Sequence, residues 1–282
     1  MSAPKLQLVL LGTGTPNADP ERFGSCVAVV VDDVPYLIDA GPGLVRRAAA
    51  AHQHGVTGLE VSRLSTLFLT HLHSDHTIGL PDLMLTPWVL TRDRPLKIYG
   101  PKGTRSMVNH LLAAYQADIQ ERLKGLEPAN EGGYQVNVNE IDAGFMYQDD
   151  RIQVESFKAI HGSWPALGFK FKVGDQTIVL SGDTTFHDEM IQHYQGCDVL
   201  VHEVYSLKEL QKRPPEWQAY HTSVHTSTEQ LAHIANQVKP ELIILYHQLF
   251  WGASEQDLID EIHKHYDGDV VSGNDLDIFE FS

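Results

Sequence analysis

His71-Leu72-His73-Ser74-Asp75-His76 follows directly on the apolar run Leu67-Phe68-Leu69. Four side chains of metal-ligating type thus fall within six positions, where a strand runs out into a loop. Neutral imidazole and carboxylate together suit zinc, iron or manganese. The small Ser74 lets the chain bend between His73 and Asp75 and aim several side chains inward. A polar surface turn would not need so narrow a choice of residue types. Three further residues of the same chemistry stand where apolar strands end: His161 after residues 152–159, Asp183 after residues 177–180, and His247 after residues 242–246. Any one alone reads as an ordinary surface residue. Loops at the ends of strands can meet on one rim, and the three together with the histidine cluster make a candidate metal site.

Strands and helices must position these groups. Residues 6–11, 27–31 and 36–38 read as strands, the last two joined by the turn Asp32-Asp33-Val34-Pro35. Ile38-Asp39-Ala40-Gly41-Pro42-Gly43 breaks the third strand, and a helix follows to about residue 54, with Pro42 near its start. Residues 64–69 form the strand that feeds the cluster, and residues 96–99 a short strand stopped by Gly100-Pro101. Residues 104–123 have helical character, with Met107, Val108, Leu111, Leu112, Tyr115 and Ile119 as the apolar positions. Strands at 134–141, 152–159, 167–173 and 177–180 read as a mostly antiparallel stretch. A helix from about Thr185, a strand at 199–201, a helix at 228–238 ended by Pro240, a strand at 242–246, a helix at 255–266 and a strand at 276–281 complete the chain. Antiparallel runs precede mixed strand–helix order in both halves. The expectation is an α/β (α+β) chain, one domain over residues 1–282, with an αββα sandwich of two mixed sheets flanked by helices.

Composition narrows the function classes. The chain has 282 residues, 42% apolar and 21% charged, ordinary for a globular protein with a sizeable core. The run 6–11 is too short to span a membrane and carries no leader pattern, so no membrane or secretory role is expected. Cys26 and Cys197 define no disulfide framework, which fits a reducing cytoplasm. The formal net charge of −16 opposes a polyanionic partner. Arg92, Arg94, Lys97, Lys102 and Arg105 cluster in sequence and read as a solvated basic face. His52, His54, His110, His187, His193, His233, His263 and His265 lie in helical or polar stretches and read as surface residues. Gly12-Thr13-Gly14 is a tight turn and no dinucleotide loop, because Asn17 stands where the third glycine belongs and no helix follows directly.

The segment 71–76 matches the HxHxDH signature of the metallo-β-lactamase superfamily. Residues 38–43, Ser181-Gly182-Asp183-Thr184 and the late His247 fall in the order that superfamily uses. The chain most resembles the ribonuclease Z branch and the arylsulfatase-like phosphodiesterases beside it, through residues 11–16, Tyr99-Gly100-Pro101-Lys102-Gly103, His202-Glu203 and His225-Thr226-Ser227. The resemblance implies two divalent metal ions, Zn2+ first, with Mn2+ or Fe as alternatives. His71, His73 and His161 would hold one, Asp75, His76 and His247 the other, and Asp183 would bridge them. A shared anion masks the repulsion of two close cations, and a hydroxide between them would be the nucleophile. Asp75, His225 and Glu203 would be the catalytic residues beyond simple ligation. His225 would steady charge or protonate the leaving oxygen, with Glu203 as its partner carboxylate. His221 competes for that role, and a helix-start position before Thr228 is the bland reading of His225. Asp39 would orient a ligand histidine, or else cap the helix that follows.

Short ribonucleases Z carry an arm that grips transfer RNA between the strand after the third ligand and the bridging aspartate. Here that interval, residues 169–181, holds a hairpin turning at Gly174-Asp175. After the last ligand, His247-Gln248-Leu249-Phe250-Trp251 departs from the branch's pattern. Trp88, Trp164, Trp217, Tyr220, Phe250 and Trp251 lie near predicted site loops and are candidates to line a pocket for a small or aryl-bearing ester. The expected activity is hydrolysis of a small phosphodiester or related ester. The alternatives are arylsulfatase or lactonase chemistry, ribonuclease Z-type 3′ processing, and di-iron redox chemistry, which lacks a flavin domain here. The expected partner is a small-molecule ester, with nucleic acid the less favoured partner and no membrane; a homodimer is the further expectation, and the exposure of the helix at 104–123 decides it.

Overall fold

The computed structural model describes residues 4–281. The chain falls into two units, one built on Pro16–Ile141 with the flanking ends of the chain, the other on Asp142–Asn274 with Thr13–Thr15. Each contains one seven-stranded mixed sheet.

The first sheet takes strands β1 (Leu6–Gly12), β2 (Cys26–Val31), β3 (Val34–Ile38), β4 (Thr66–Phe68), β5 (Leu96–Gly100) and β6 (Val136–Glu140) in that spatial order, with the final strand Ile278–Phe281 outside β1. The pairings from the final strand to β3 are antiparallel, and those from β3 to β6 parallel. β2 and β3 meet in a two-residue turn, with Asp32 and Asp33 both at positive φ (47° and 61°), the geometry whose twist suits a hairpin. Helix α1 (Leu44–Gln53) sets Leu44, Val45, Ala48 and Ala51 into the core of this unit, one stripe at helical spacing. The short α2 (Ser74–Thr77) carries half of the histidine cluster, and α3 (Leu80–Val89) follows it.

Two expectations change here. Residues 136–140 do not join the antiparallel stretch; they pair parallel with β5 at the edge of the first sheet. The helical stretch 104–123 is two helices, α4 (Thr104–Ala114) and α5 (Gln116–Lys124), broken at Tyr115. Helix α3 was not apparent in the sequence. It is apolar on nearly every face and contains Pro87, so no 3.6-residue stripe marks it.

The second sheet takes β7 (Met146–Gln148), β8 (Gln153–His161), β9 (Trp164–Val173), β10 (Gln176–Leu180), β11 (Val199–Tyr205), β12 (Leu242–Leu249) and β13 (Val270–Ser272), again in spatial order. Pairings from β7 to β10 are antiparallel and from β10 to β13 parallel. Each half thus repeats the antiparallel-then-parallel order, as its strand–helix pattern implied. Helices α6 (Glu189–Tyr194), α7 (Leu207–Leu210), α8 (Pro215–Val224), α9 (Thr228–Val238) and α10 (Glu255–His263) belong to this unit. Both α9 and α10 open on a capping box, Ser227 with Gln230 and Ser254 with Asp257. No helix among the described residues is long and apolar enough to cross a membrane.

The basic cluster is a solvated face except at one residue. Arg94, Lys97, Lys102 and Arg105 are exposed, but Arg92 is only 1% exposed. Its guanidinium donates to the carbonyls of Leu64, Leu83, Met84 and Gly133 at 2.7–3.2 Å. Burial, with Arg94 adding, lowers its pKa to about 10, so it stays charged at neutral pH. Trp88 is likewise buried: it donates its indole N–H to the Asn130 carbonyl at 2.8 Å and packs on Tyr134, beside a cavity that it lines with Thr91, Arg122 and Asn130. Arg92→Leu removes the guanidinium donors from the carbonyls of Leu64, Leu83, Met84 and Gly133 and is expected to cost on the order of 3 kcal/mol in urea denaturation. Arg94→Leu, on the exposed side, is expected to shift it by less than about 0.5 kcal/mol.

Candidate metal centre

In the first unit the cluster is held from behind by a buried carboxylate. Asp39 ends β3 with φ 62° and is 1% exposed. It accepts from the Thr70 amide (2.8 Å), the Thr70 hydroxyl (2.8 Å) and His76 Nδ1 (2.7 Å). Because the Thr70 hydroxyl donates to Asp39, it accepts from His71 Nδ1 at 3.0 Å. Both His71 and His76 therefore carry their proton on Nδ1, and Nε2 is left as the donor atom for a metal. His71 Nε2 lies 3.0 Å from His73 Nδ1, and His76 Nε2 3.5 Å from an Asp75 carboxylate oxygen. Two ligand atoms on one tetrahedral zinc sit about 3.3 Å apart, so both pairs have ligand-pair spacing. Gly41 is required by close approach: a Cβ there would come within 2.6 Å of the Asp75 carbonyl. Asp39 orients a histidine, as the resemblance implied, and makes no helix cap: α1 has no side-chain cap.

In the second unit His161 ends β8, Asp183 lies just beyond β10, and His247 sits inside β12. His161 donates Nδ1–H to the Val224 carbonyl at 2.8 Å, which turns Nε2 toward Asp183, 4.0 Å away. Gly182, before Asp183, has φ 62°. His247 Nε2 is 3.5 Å from the same Asp183 oxygen. The register of β12 explains why His247 points there. Glu203 pairs with Tyr246 and Val204 with Gln248, so His247 is the extra residue of a bulge, at φ 44°. A bulge re-aims one side chain while the ladder resumes on either side.

Glu203, wholly buried on β11, accepts from the amides of Thr184 (3.2 Å) and Thr226 (3.0 Å) and from His225 Nδ1 (3.3 Å). Burial pushes its carboxyl well above the usual range and the charge of Asp183 adds to this; His247 and the two amides oppose it. His225 terminates α8 in an extended conformation and precedes Ser227, the cap of α9, so it starts no helix. His221, the competitor, has no carboxylate partner. Burial, then His225 and Arg213, push its pKa down to about 4, which leaves it neutral at neutral pH. The ligand atoms of His161, Asp183 and His225 lie within 4.8 Å of one another, as do those of Glu203, His225 and His247.

Several residues that hold the site have no role readable in the sequence: Thr184 and Thr226 stand inside quoted motifs, while Thr70 and Val224 are marked only by adjacency to them. Among the described residues, none of the eight histidines read as surface residues joins a metal-ligating group; His54, His110, His233, His263 and His265 are exposed and His52, His187 and His193 half-buried.

The donor set is all imidazole and carboxylate, buried except for the half-buried His73, with Nε2 of His71, His76 and His161 oriented by hydrogen bonds at Nδ1, and it fits a divalent transition metal. The comparisons agree. Residues 35–248 match the β-lactamase superfamily domain, and the chain belongs to that superfamily of metal-dependent hydrolases. Its relatives include a ribonuclease Z of Mycobacterium sp. (strain KMS), 33% identical over 247 residues that cover 86% of this chain and 84% of that one. Two solved structures share its fold. One is the metallo-β-lactamase fold protein YhfI from Bacillus subtilis, with TM-score 0.76 and 15% identity, covering 98% of this chain and 100% of that one. The other is the short form of human tRNase Z, with TM-score 0.72 and 19% identity, covering 97% and 98%.

Asp39→Ala removes the acceptor that fixes His76 and, through Thr70, His71. Zinc affinity, read by competition with a chromogenic chelator, is expected to fall about 10–100-fold.

Proposed function

We propose that this chain hydrolyses a small phosphodiester at a centre of two divalent cations, Zn2+ in the simplest case. His71, His73 and His161 are assigned to one ion, Asp75, His76 and His247 to the other, and Asp183 to both. The bound ions would supply positive charge for a substrate oxygen and a water acidic enough to attack at neutral pH. The chain's own contribution is orientation and proton transfer. Asp39 and Thr70 fix the ring planes and tautomers of His71 and His76. Glu203 engages Nδ1 of His225, which makes Nε2 the atom that hands a proton to the leaving oxygen.

A small substrate is favoured by one observation above the rest. Val173 pairs with Gln176, so the β9–β10 connection is two residues long where a transfer-RNA-gripping arm would stand. The net charge of −16 points the same way. The ribonuclease Z relatives favour a second reading, 3′ processing of transfer RNA. Sulfate and carboxylic esters present a tetrahedral or carbonyl centre to the same clamp and belong in the same screen.

The zinc-loaded protein is expected to show its highest kcat/KM on bis-p-nitrophenyl phosphate, ahead of p-nitrophenyl sulfate, a lactone panel and precursor transfer RNA. Faster cleavage of the precursor's 3′ trailer would replace the proposal with the second reading. His225→Ala is expected to lower kcat about 10²–10⁴-fold while metal content stays at about two ions per chain; unchanged turnover removes its assigned role.

A further inference from the structure

Helix α8 delivers His225 and also presents a ladder of rings that ends in solvent. Trp217, His221 and His225 are spaced by four residues, a rise of about 6 Å on one helix face. Their rings stack in succession: Trp217 on His221 at 5.7 Å and 25°, His221 on His225 at 5.7 Å and 27°. His225 stacks in turn on His247 at 5.7 Å and 29°. The inner flank is closed by Trp251, whose ring lies 4.5 Å from His221 and packs on Tyr205 and under the Arg213 guanidinium. The outer end is open. Trp217 is 48% exposed and Tyr220 46%, and their rings stand at 88° to each other with centroids 6.0 Å apart.

Single exposed aromatics are ordinary. Two exposed rings set as a right-angled ledge, in ring-to-ring continuity with the proposed proton donor and a candidate metal ligand, are a different arrangement. We propose that the Trp217–Tyr220 ledge is the leaving-group subsite, and that the preferred ester carries a flat aromatic ring on its leaving oxygen. Such a ring would stack on the indole and meet the Tyr220 edge, while its ester oxygen reaches toward His225. A simple aryl group and a nucleobase offer the same π-face, and both fit this chemistry. Trp164 and Phe250 have no part in the ledge. The inference rests on the reading of His225 as the group beside the leaving oxygen.

The test separates the subsite from the reaction. Binding of p-nitrophenyl phosphate, adenosine 5′-monophosphate and ethyl phosphate to the zinc-loaded protein is measured by calorimetry for wild type, Trp217→Ala, Trp217→Phe and Tyr220→Ala. Trp217→Ala is expected to weaken one or both aromatic ligands roughly tenfold and to leave ethyl phosphate within about twofold. Which aromatic ligand responds identifies the source of the ring, and Trp217→Phe should restore most of the loss. In turnover of bis-p-nitrophenyl phosphate the same variant should raise KM with kcat nearly constant, the signature of lost binding without lost chemistry. Wild-type protein that binds neither aromatic ligand overturns the subsite, as do variants that weaken all three ligands alike or none. If no diester is turned over at all, the proposed reaction falls, and the calorimetric comparison still decides the subsite.

Discussion

A carboxylate withdrawn from water must have its charge met by donors close at hand, and both halves of this chain use that demand to fix metal-ligating side chains. In the first unit Asp39 draws in the Thr70 amide, the Thr70 hydroxyl and the His76 ring. These donors bracket the cluster, one just before His71 and the other at its last position. In the second unit Glu203 draws in the amides of Thr184 and Thr226 and the ring of His225. Thr184 follows Asp183 directly, and Thr226 follows His225. Each loop is thus anchored within one residue of a candidate ligand or proton donor.

The backbone carries the cost of this aim. Asp39 and His247 adopt left-handed φ without being glycine, a conformation that costs roughly 1–2 kcal/mol for such residues. Surrounding structure has to hold it. For Asp39 the carboxylate's own bonds do so; for His247 the two flanking ladder pairs, Tyr246 with Glu203 and Gln248 with Val204, do so. A regular strand would alternate its side chains between two faces. Both faces of β12 are buried from Ile243 to Leu249, so the bulge changes the direction of His247 and not its burial. Strain of this kind gathers where geometry matters more than local stability.

This division explains what the sequence revealed. Residue type and position at strand ends were enough to pick out His71, His73, Asp75, His76, His161, Asp183 and His247, because ligand chemistry restricts the choice of side chain. The antiparallel-then-parallel sequence in each half followed from the strand and helix patterns, with residues 136–140 as the exception. The bulge at His247 left no trace, since it is a property of register between β11 and β12. Helix α8 was hidden because its face is made of Trp217, His221 and neighbouring polar residues, which give no apolar stripe. Arg92 was read with its charged neighbours, although it alone turns inward to satisfy carbonyls around the end of α3. Trp88 stands near a predicted site loop in the sequence, and only the structure shows its N–H taken up by the Asn130 carbonyl. In each case the missing information was a tertiary partner.

The charge balance of the buried groups gives the site a thermodynamic consequence beyond catalysis. Asp39, Asp75, Asp183, Glu203 and Glu261 are buried, whereas Arg92 is the sole buried lysine or arginine among the described residues, and it faces carbonyls. Glu261 is answered by Ser206, Leu207 and Thr228. Burial raises the cost of charging Glu203, and the nearby charge of Asp183 adds to it. Among the described residues the one buried lysine or arginine, Arg92, faces carbonyls, and imidazoles relieve such repulsion only when protonated. A divalent ion held there would relieve it at any pH that keeps its ligands deprotonated, and would then couple metal binding to folding.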